Sequence, residues 1–598
     1  MAGQYWDRYW AARRSRRRFL GGVATLSAGA AGLALVGCGD DDDDEPDATN
    51  TPSGSESPTA AGSATAEASP TPSDPYANAK RGGVYKLDAT GDPASIDPYG
   101  STSFTTKGVS SYVYSRLFKY NAGPAVAKAD LRPEGDLAAT SEANPDGTVW
   151  TIKLRDNINF HDLAPVSGRA ITADDIQFSW SRMTDEAQPN RTNVAFVDKM
   201  ETPDDKTIIF TLKAPNAAFL DVFTDANNFW VMPTEAEGGF DPTTTMIGSG
   251  PWVFDSYQAS SSYSFNKNPA WHFDGFPLMD RVEVAIITEY ASRLAQFQAG
   301  NTYVSGIAAD DIVNVKNSFP DVQLYGEVSQ LLSFFFMDPN PDSPWNKDPR
   351  VRQAISMAID RGTLLDFAYN VSTLKAAGLN VSERWNNLIP AGNERFSLDP
   401  LSAEQGESSK YFEFNPDEAR ALLSAAGFPN ISTTYQYTPV RYGSVFDSVA
   451  EAHIEMLQDV GFQLSVDPQD YNSIYFPNTF QGNFTGIAFG LETPFPEAGS
   501  YPNRMFKDNP LNHSRILVPE MQELADKQQT TLDFEDRREV FYEIQRKNAE
   551  NMYYIPNNVG AGTGWTGYQG FVKNIETQTI PGSYAGPTEE TAFVWLDL

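Results

Sequence analysis

The amino-acid sequence predicts a mixed α/β protein with more than one lobe, and three observations support this class. The chain has 598 residues, of which 40% are hydrophobic and 12% aromatic, so it can bury cores too large for one small domain. From residue 80 onward, short β-type runs alternate with capped helical segments. No sequence period repeats along the chain, which argues against solenoids and propellers.

Two strands are predicted from alternating hydrophobicity after turn signals. Residues 149–154 alternate between apolar and polar side chains and follow the turn sequence Asn144-Pro145-Asp146-Gly147. Residues 207–212 show the same alternation after a Pro-Asp-Asp turn. Both segments are therefore expected to form strands.

Three helices are predicted from the residues that begin them. Thr172 precedes Asp174 and Asp175, whose negative charges suit the N-terminal end of a helix dipole. Asn415 stands before a proline that can occupy the first helical position, and a glycine ends this helix. The helix after Asp348 places its apolar residues on one face, which predicts a buried stripe.

Charge and residue counts exclude several classes of function. The chain has 45 basic and 78 acidic residues, and its formal net charge of -33 argues against nucleic-acid binding. Cys38 is the single cysteine, so no intramolecular disulfide can form. The four histidines, His161, His272, His453 and His513, are far apart in sequence and lack zinc-site spacing, so no metal site is expected.

No motif supports a cofactor or a nucleophile. Residues 562–567 match Gly-x-Gly-x-x-Gly, but no capped helix follows to hold a pyrophosphate, and the segment is interpreted as a turn or loop. The sequence has neither a phosphate-binding Gly-Lys-Ser/Thr motif nor a Gly-x-Ser-x-Gly elbow. We therefore expect no cofactor and no catalytic residue.

The first 79 residues are predicted to be an export signal and a tether. Arg16 and Arg17 precede an uncharged stretch and resemble a twin-arginine signal. That stretch ends in Leu35-Val36-Gly37-Cys38, which resembles a bacterial lipobox, so Cys38 is the expected lipid anchor. Residues 39–79 combine an acidic run with Pro, Ser, Thr, Ala and Gly, a composition typical of a flexible linker. We expect an exported protein, anchored to the outer face of the cytoplasmic membrane or in the periplasm.

Short segments in a fixed order carry a resemblance to a known family. They are residues 81–85, 91–98, 131–133, 150–154, 160–162, 171–179, 248–252, 266–271, 350–355 and 427–429. In these segments the chain resembles the extracytoplasmic solute-binding proteins of ABC importers, specifically the family that binds oligopeptides, dipeptides and nickel complexes. The resemblance covers about residues 80–560.

The resemblance implies a periplasmic-binding-protein-like α/β fold of type II, with two lobes, mixed sheets, a hinge and a cleft between the lobes. Residues 1–37 would be the signal and 38–79 the anchor and linker. The first lobe would combine residues 80–122, 245–333 and 555–598. An inserted subdomain would span residues 123–244, and the second lobe residues 334–554.

The resemblance also implies a function and partners. The protein would bind an oligopeptide or similar small solute between its lobes and deliver it to the permease subunits of an ABC importer, as a monomer and without catalysis. Two alternatives stay open from the sequence. They are an exported enzyme with a cofactor and a sensory receptor that shares the fold.

Candidate ligand-binding residues come from the same resemblance. The family places a carboxylate that meets the ligand's amino group in a loop that matches residues 487–497, but Pro494 stands at that position here, so Glu492 or Glu497 would have to replace it. Aromatic residues near this loop could line an apolar cleft. The candidates are Tyr99, Ser101, Tyr471, Tyr475, Phe476, Phe489, Gly490, Glu492, Phe495, Glu497 and Asn557.

Overall fold

The computed structural model describes residues 76–123, 126–328, 331–492, 494–495, 497–509, 512–575 and 588–598. The predicted export-signal residues Arg16 and Arg17 and the predicted lipid anchor Cys38 lie outside the described residues. Within the described residues, no helix combines the length and the apolar character that a membrane crossing needs.

Strands occur along the whole described chain. They are β1 (Val84–Ala89), β2 (Phe118–Tyr120), β3 (Pro133–Gly135), β4 (Ala138–Ala143), β5 (Val149–Leu154), β6 (Val197–Asp204), β7 (Thr207–Leu212), β8 (Trp252–Gln258), β9 (Ser262–Lys267), β10 (Arg281–Ile286), β11 (Val304–Ile307), β12 (Gln323–Val328), β13 (Leu332–Met337), β14 (Glu383–Trp385), β15 (Ile431–Tyr437), β16 (Phe462–Pro468), β17 (Ile487–Glu492), β18 (Ile555–Pro556), β19 (Asn558–Tyr568), β20 (Val572–Lys573) and β21 (Trp595–Leu596).

Helices alternate with these strands. They are α1 (Phe104–Val113), α2 (Ala173–Thr184), α3 (Phe219–Thr224), α4 (Tyr290–Gln298), α5 (Ile312–Ser318), α6 (Pro344–Lys347), α7 (Pro349–Met357), α8 (Arg361–Tyr369), α9 (Val371–Ala376), α10 (Pro416–Ala425), α11 (Ser444–Asp459), α12 (Ser500–Phe506), α13 (Pro519–Thr530) and α14 (Phe534–Asn551).

The sheet of the first lobe joins distant parts of the chain. Its strand order is β1–β10–β9–β8, with β1 parallel to β10 and the other neighbours antiparallel. β1 and β10 lie on opposite sides of residues 123–244 in sequence, so these residues form an insertion between two parts of one sheet. They contain a sheet of their own, with order β4–β5–β7–β6.

The predicted strands and helix starts are confirmed. Residues 149–154 and 207–212 are β5 and β7, which pair antiparallel. At the start of α2, the Asp175 carboxylate accepts a hydrogen bond from Thr172 N at 3.0 Å. At the start of α10, the Asn415 side chain accepts one from Glu418 N at 3.0 Å. α7 begins directly after Asp348, and its apolar face is buried.

The sheet of the second lobe places three loops at one edge. Its strand order is β16–β15–β17–β13–β18, and β15 is parallel to both β16 and β17. Because the carboxyl ends of parallel strands meet at one edge of a sheet, the loops after these three strands leave the sheet together. We call this edge, formed by residues 438–443, 469–476, 494–495 and 497–499, the carboxyl edge.

The chain passes between the lobes at two places. β12 leads into β13, and β18 leads into β19, which pairs with β11, β12 and β14. β13 begins at Leu332 and pairs with β17, and β18 pairs with β13, so both strands belong to the second-lobe sheet. The expected borders after residues 333 and 554 thus differ from the sheet pairing, which assigns both strands to the second lobe.

The glycine-rich segment at residues 562–567 lies within β19, so its interpretation as a turn or loop is wrong. The glycines allow close packing in the sheet. A Cβ at Gly567 would stand 3.0 Å from the Phe297 ring, and a Cβ at Gly326 on β12 would stand 2.9 Å from the Trp565 ring. Small residues are therefore required by the neighbouring rings and not by a nucleotide.

We expect the N-cap of α10 to contribute measurably to stability. Replacing Asn415 by Ala removes the acceptor for the Glu418 amide and should lower the free energy of unfolding by about 1 kcal/mol. Urea denaturation measures this change. The exposed substitution Ser424→Ala in the same helix is the control, and an equal loss in both variants would contradict the capping role.

Candidate functional site

Aromatic and cationic side chains from the three loops gather at the carboxyl edge. The rings of Tyr442 and Tyr471, from the first two loops, are 5.9 Å apart, and the Arg441 guanidinium lies 4.9 Å from the Tyr471 ring. Phe495, from the third loop, lies 5.0 Å from the Arg504 guanidinium. Arg441 is exposed, and the three rings are half-buried. The edge therefore presents positive charge and partly exposed aromatic surface.

Glu492 ends β17 and faces the interior of the second lobe. Its side chain is 1% exposed, and its Oε2 lies 2.9 Å from His513 Nε2. Its Oε1 lies 3.2 Å from Arg504 Nη2. His513 Nδ1 is 2.7 Å from the Phe480 carbonyl oxygen, so both ring nitrogens lie near oxygen atoms. The structure thus pairs Glu492 with Arg504 and packs it against His513.

Glu497 is also paired within the protein. Its Oε1 lies 2.6 Å from Nη2 of the buried Arg537, and its side chain is 19% exposed. The same Arg537 nitrogen donates to Gln528 Oε1 at 2.8 Å. Both glutamates near Pro494 therefore already have an arginine partner in the protein.

The aromatic candidates divide into supporting and exposed groups. Tyr475 is fully buried, and its hydroxyl donates to the Phe489 carbonyl oxygen at 2.8 Å. Phe489 stacks on Phe446 with centroids 4.5 Å apart. A Cβ on Gly490 would stand 2.5 Å from the Tyr475 hydroxyl, so this position requires glycine. Phe476, in contrast, is 39% exposed.

The two first-lobe candidates, Tyr99 and Ser101, make hydrogen bonds within the protein. The Tyr99 hydroxyl donates to the Trp230 carbonyl oxygen at 2.8 Å and accepts from its amide at 3.0 Å, and Tyr99 is 5% exposed. Burial raises the pKa of Tyr99, which keeps the hydroxyl protonated. Ser101 is half-buried, and its Oγ accepts from Ser103 N at 3.1 Å.

Asn557 lies at one of the two chain crossings. Its Nδ2 is 2.9 Å from His453 Nε2, and its own amide donates to the Ser333 carbonyl oxygen at 2.8 Å. Burial, and then the charge of Arg361, lower the pKa of His453 to about 3, so the ring is neutral and can accept from Asn557. Arg361 donates to the Pro556 carbonyl oxygen at 2.9 Å. These contacts fix the crossing between β18 and β19.

A buried ion cluster joins the inserted subdomain to the second lobe. We call Tyr120, Asp221, Arg395, Glu497 and Arg537 the Asp221 cluster. Asp221 Oδ1 lies 2.6 Å from Arg395 Nη1, with the two side chains 6% and 2% exposed. Asp221 Oδ2 lies 4.0 Å from Arg537 Nη1, and Arg537 holds Glu497.

The cluster is electrostatically consistent. Burial and the charge of Asp221 raise the pKa of Tyr120 well above its usual value, so its hydroxyl donates to Asp221 at 3.0 Å. Burial disfavours the charge on Arg395, but Asp221 and the other neighbours reverse this effect and raise the pKa of Arg395. Arg395 therefore keeps its positive charge beside Asp221.

Further contacts follow the same boundary. Arg132 Nη2 lies 2.7 Å from Glu535 Oε1, and its guanidinium stands 3.8 Å from the Phe534 ring. The Ala217 amide donates to the Gln529 carbonyl oxygen at 2.7 Å. The inserted subdomain therefore packs on the segment that ends α13 and begins α14.

The sequence interpretation missed Arg441, Tyr442, Arg504 and Asp221. Arg441 and Tyr442 were detectable in principle, since they follow β15, and ligand sites in α/β sheets form at the carboxyl ends of parallel strands. Asp221 had no local signal, because it and Arg395 are 174 residues apart. Within the described residues, no group of His, Cys, Asp and Glu is arranged to hold a metal ion.

We expect Asp221→Asn to destabilise the protein, because it leaves the buried Arg395 without its paired carboxylate and removes one of the two carboxylates near Arg537. The free energy of unfolding should fall by about 3 kcal/mol in urea denaturation. Glu201→Gln, which breaks an exposed ion pair with Lys199 in the same subdomain, should change it by less than about 1 kcal/mol. Equal losses in the two variants would contradict a special role for the buried cluster.

Comparisons with known proteins agree with this architecture. Residues 132–512 match the model of the bacterial extracellular solute-binding proteins, family 5. A putative ABC transporter peptide-binding protein of Brucella ovis is 27% identical over 403 residues, covering 61% of this chain and 69% of that protein. A glutathione-binding protein of Pectobacterium atrosepticum is 24% identical over 385 residues, covering 63% of this chain and 67% of that protein.

A solved structure shares the fold. HbpA2 from Haemophilus parasuis superposes with a TM-score of 0.70 at 22% identity, and the match covers 86% of this chain and 99% of that one. This likeness confirms the predicted two-lobed, periplasmic-binding-protein-like α/β fold. Since the family model spans more than half of the chain, the protein belongs to the bacterial extracellular solute-binding proteins of family 5, and it is a solute-binding receptor.

Proposed function

We propose that this chain is the substrate-binding receptor of an ABC importer and that it binds a peptide or peptide-like solute between its two lobes. It performs no catalytic step. Relatives named for binding peptides and glutathione support this substrate class. The observation that carries the proposal is the carboxyl edge, where three loops present aromatic rings and the exposed Arg441.

The chemistry of the carboxyl edge favours an anionic group of the solute. Arg441 is exposed, whereas Arg504 already pairs with Glu492. Glu497 pairs with Arg537, and Pro494 supplies no charge. Because an arginine fork matches the geometry of a carboxylate, a peptide's C-terminal carboxylate suits this edge, and its side chains suit the rings.

Closure of the lobes would accompany binding. The Asp221 cluster is buried only while the inserted subdomain rests on the second lobe, and an opened arrangement would expose its charges to water. Hinge closure around a ligand is the common motion of two-lobed binding proteins. The closed monomer then presents its solute to the permease subunits of the importer.

The N-terminal residues define the proposed location. Arg16 and Arg17 direct export through the twin-arginine route, and lipidated Cys38 anchors the protein outside the cytoplasmic membrane. Residues 39–79 act as the tether.

Export and anchoring can be tested by fractionation of the producing bacterium. Replacing both Arg16 and Arg17 by Lys should retain the protein in the cytoplasm, because the arginine pair is the receptor-read signal. Cys38→Ser should abolish labelling by a radioactive fatty acid. Replacing Arg13 and Arg14 by Lys is the matched control and should leave export unchanged. Export that survives loss of the Arg16–Arg17 pair would contradict this route.

Solute binding can be tested with a library of tripeptides in two forms. Calorimetry should detect binding of the free-acid library, and C-terminal amidation should weaken binding at least about tenfold, since it removes the carboxylate that Arg441 receives. Arg441→Gln should remove the preference for the free acid without changing the fold, because Arg441 is exposed.

Arg420→Gln is the matched control for Arg441→Gln. Arg420 is also a surface arginine, but it contacts the C-terminal end of α11, which precedes the amino end of β16. This variant should keep the preference for the free acid. Absence of binding by either library would overturn the peptide class, and equal binding of the two forms would overturn the role of the carboxyl edge.

A further inference from the structure

A cavity of about 350 Å³ lies within the first lobe, between its sheet, α1 and β11. Its lining includes two carboxylates, several hydroxyl groups and two tyrosine rings. These residues are Asp88, Glu590, Thr105, Ser305, Thr591, Tyr112 and Tyr263. Among the described residues, no lysine or arginine lines the cavity. The lining therefore offers hydrogen-bond acceptors and negative charge to a ligand.

Asp88 is the unusual group in this cavity. Its side chain is 9% exposed, and its Oδ2 is buried without a hydrogen-bond partner. Ser305 also lines the cavity and is 2% exposed, and its hydroxyl hydrogen-bonds to the Asp88 carboxylate. A hydroxyl that donates to a carboxylate can still accept from a ligand. A buried carboxylate oxygen without a hydrogen-bond partner carries a large desolvation cost, so Asp88 Oδ2 indicates a place for a bound donor.

The charged groups around the cavity do not satisfy Asp88. The nearest cation is Arg293, whose Nε lies 3.8 Å from Asp88, while its Nη1 donates to the carbonyl oxygens of Ile287 and Thr288. Burial raises the pKa of Asp88, against smaller lowering effects of a hydrogen bond from Ser305 and of the charge of Arg293. Ser305 and the distant Arg293 thus compensate the burial of Asp88 only in part.

The second lining carboxylate has a different environment. Burial disfavours the charge of Lys119, but the charges of Glu590 and Glu134 raise the pKa of Lys119, so a cation already stands close to Glu590. Of the two lining carboxylates, Asp88 is therefore the one that a cationic ligand would stabilise more. An alkylammonium ion has three donors, enough for Asp88 Oδ2, Ser305 Oγ and one further acceptor. The Tyr112 and Tyr263 rings add favourable cation–π surface.

We propose that this first-lobe cavity binds the ammonium group of an organic cation, with Asp88 as its counter-ion and Ser305 as a second acceptor. Water molecules could fill a cavity of this volume, but they would not neutralise the buried charge of Asp88. If the ammonium group belongs to the transported solute, this inference rests on the proposed function. It then orients the solute with its cationic end in the first lobe, whereas the loop that contains Pro494 belongs to the second lobe.

Benzylammonium and its neutral analogue benzyl alcohol test the cavity on the full soluble body of the protein. Calorimetry should detect benzylammonium binding to the unmodified protein, and Asp88→Asn should weaken it at least about tenfold. Ser305→Ala should weaken it less, because the charge remains. The affinity for benzyl alcohol should be the same in all variants.

The melting temperature without ligand separates a binding role from a structural one. If Asp88 serves to bind a cation, Asp88→Asn removes a buried charge that is poorly compensated without ligand. The melting temperature of this variant should then equal or exceed that of the unmodified protein. If Asp88 serves mainly as the partner of Arg293, the melting temperature should fall, and the proposal is overturned. Glu142→Gln, an exposed change on β4, is the control and should alter neither readout.

The outcomes distinguish this inference from the proposed function. Benzylammonium that does not bind, or binds Asp88→Asn as tightly as the unmodified protein, overturns the ammonium site even when the tripeptide library binds. A library that does not bind overturns the peptide proposal even when benzylammonium binds at Asp88. N-acetylation of a library that binds should weaken it at least about tenfold, and unchanged binding would overturn the proposed orientation.

Discussion

The pairing of Asp221 with Arg395 and Arg537 is the constraint on which the closed arrangement depends. Three charges are withdrawn from water at a boundary between parts of the chain that are distant in sequence. Such a group is stable only when all partners are present, because each charge left alone in the interior costs several kcal/mol. The inserted subdomain and the second lobe therefore either make this one set of contacts or separate far enough for water to solvate the charges.

The same cluster reaches the carboxyl edge through Glu497. Arg537 contacts Asp221 on one side and Glu497 on the other, and Glu497 lies in the loop that also contains Phe495. The position of this loop is thus tied to the contact between the two parts of the chain. The proposed solute-binding edge and this boundary are therefore connected by one buried arginine, Arg537.

Charge is distributed unequally between the lobes near these sites. The carboxyl edge of the second lobe offers the exposed Arg441, whereas the first-lobe cavity offers Asp88. The two proposed sites together would match a solute with opposite charges at its two ends. The net charge of -33 gave no indication of this, because it sums a surface and says nothing about individual sites.

Local features of the fold were readable from the sequence, and long-range ones were not. The turn before β5 and the caps of α2 and α10 act within a few residues, so their signals stand in the sequence itself. The strand character of residues 562–567 depends on β11 and β12, which pair with it from more than 200 residues away. The resemblance to a family located the loop after β17, but the pairing of Glu492 with His513 required the folded chain.

Small-angle X-ray scattering of the protein with and without a bound tripeptide tests closure most directly. If the lobes close on the solute, the radius of gyration should be smaller in the bound state. An unchanged radius at saturating peptide would contradict closure.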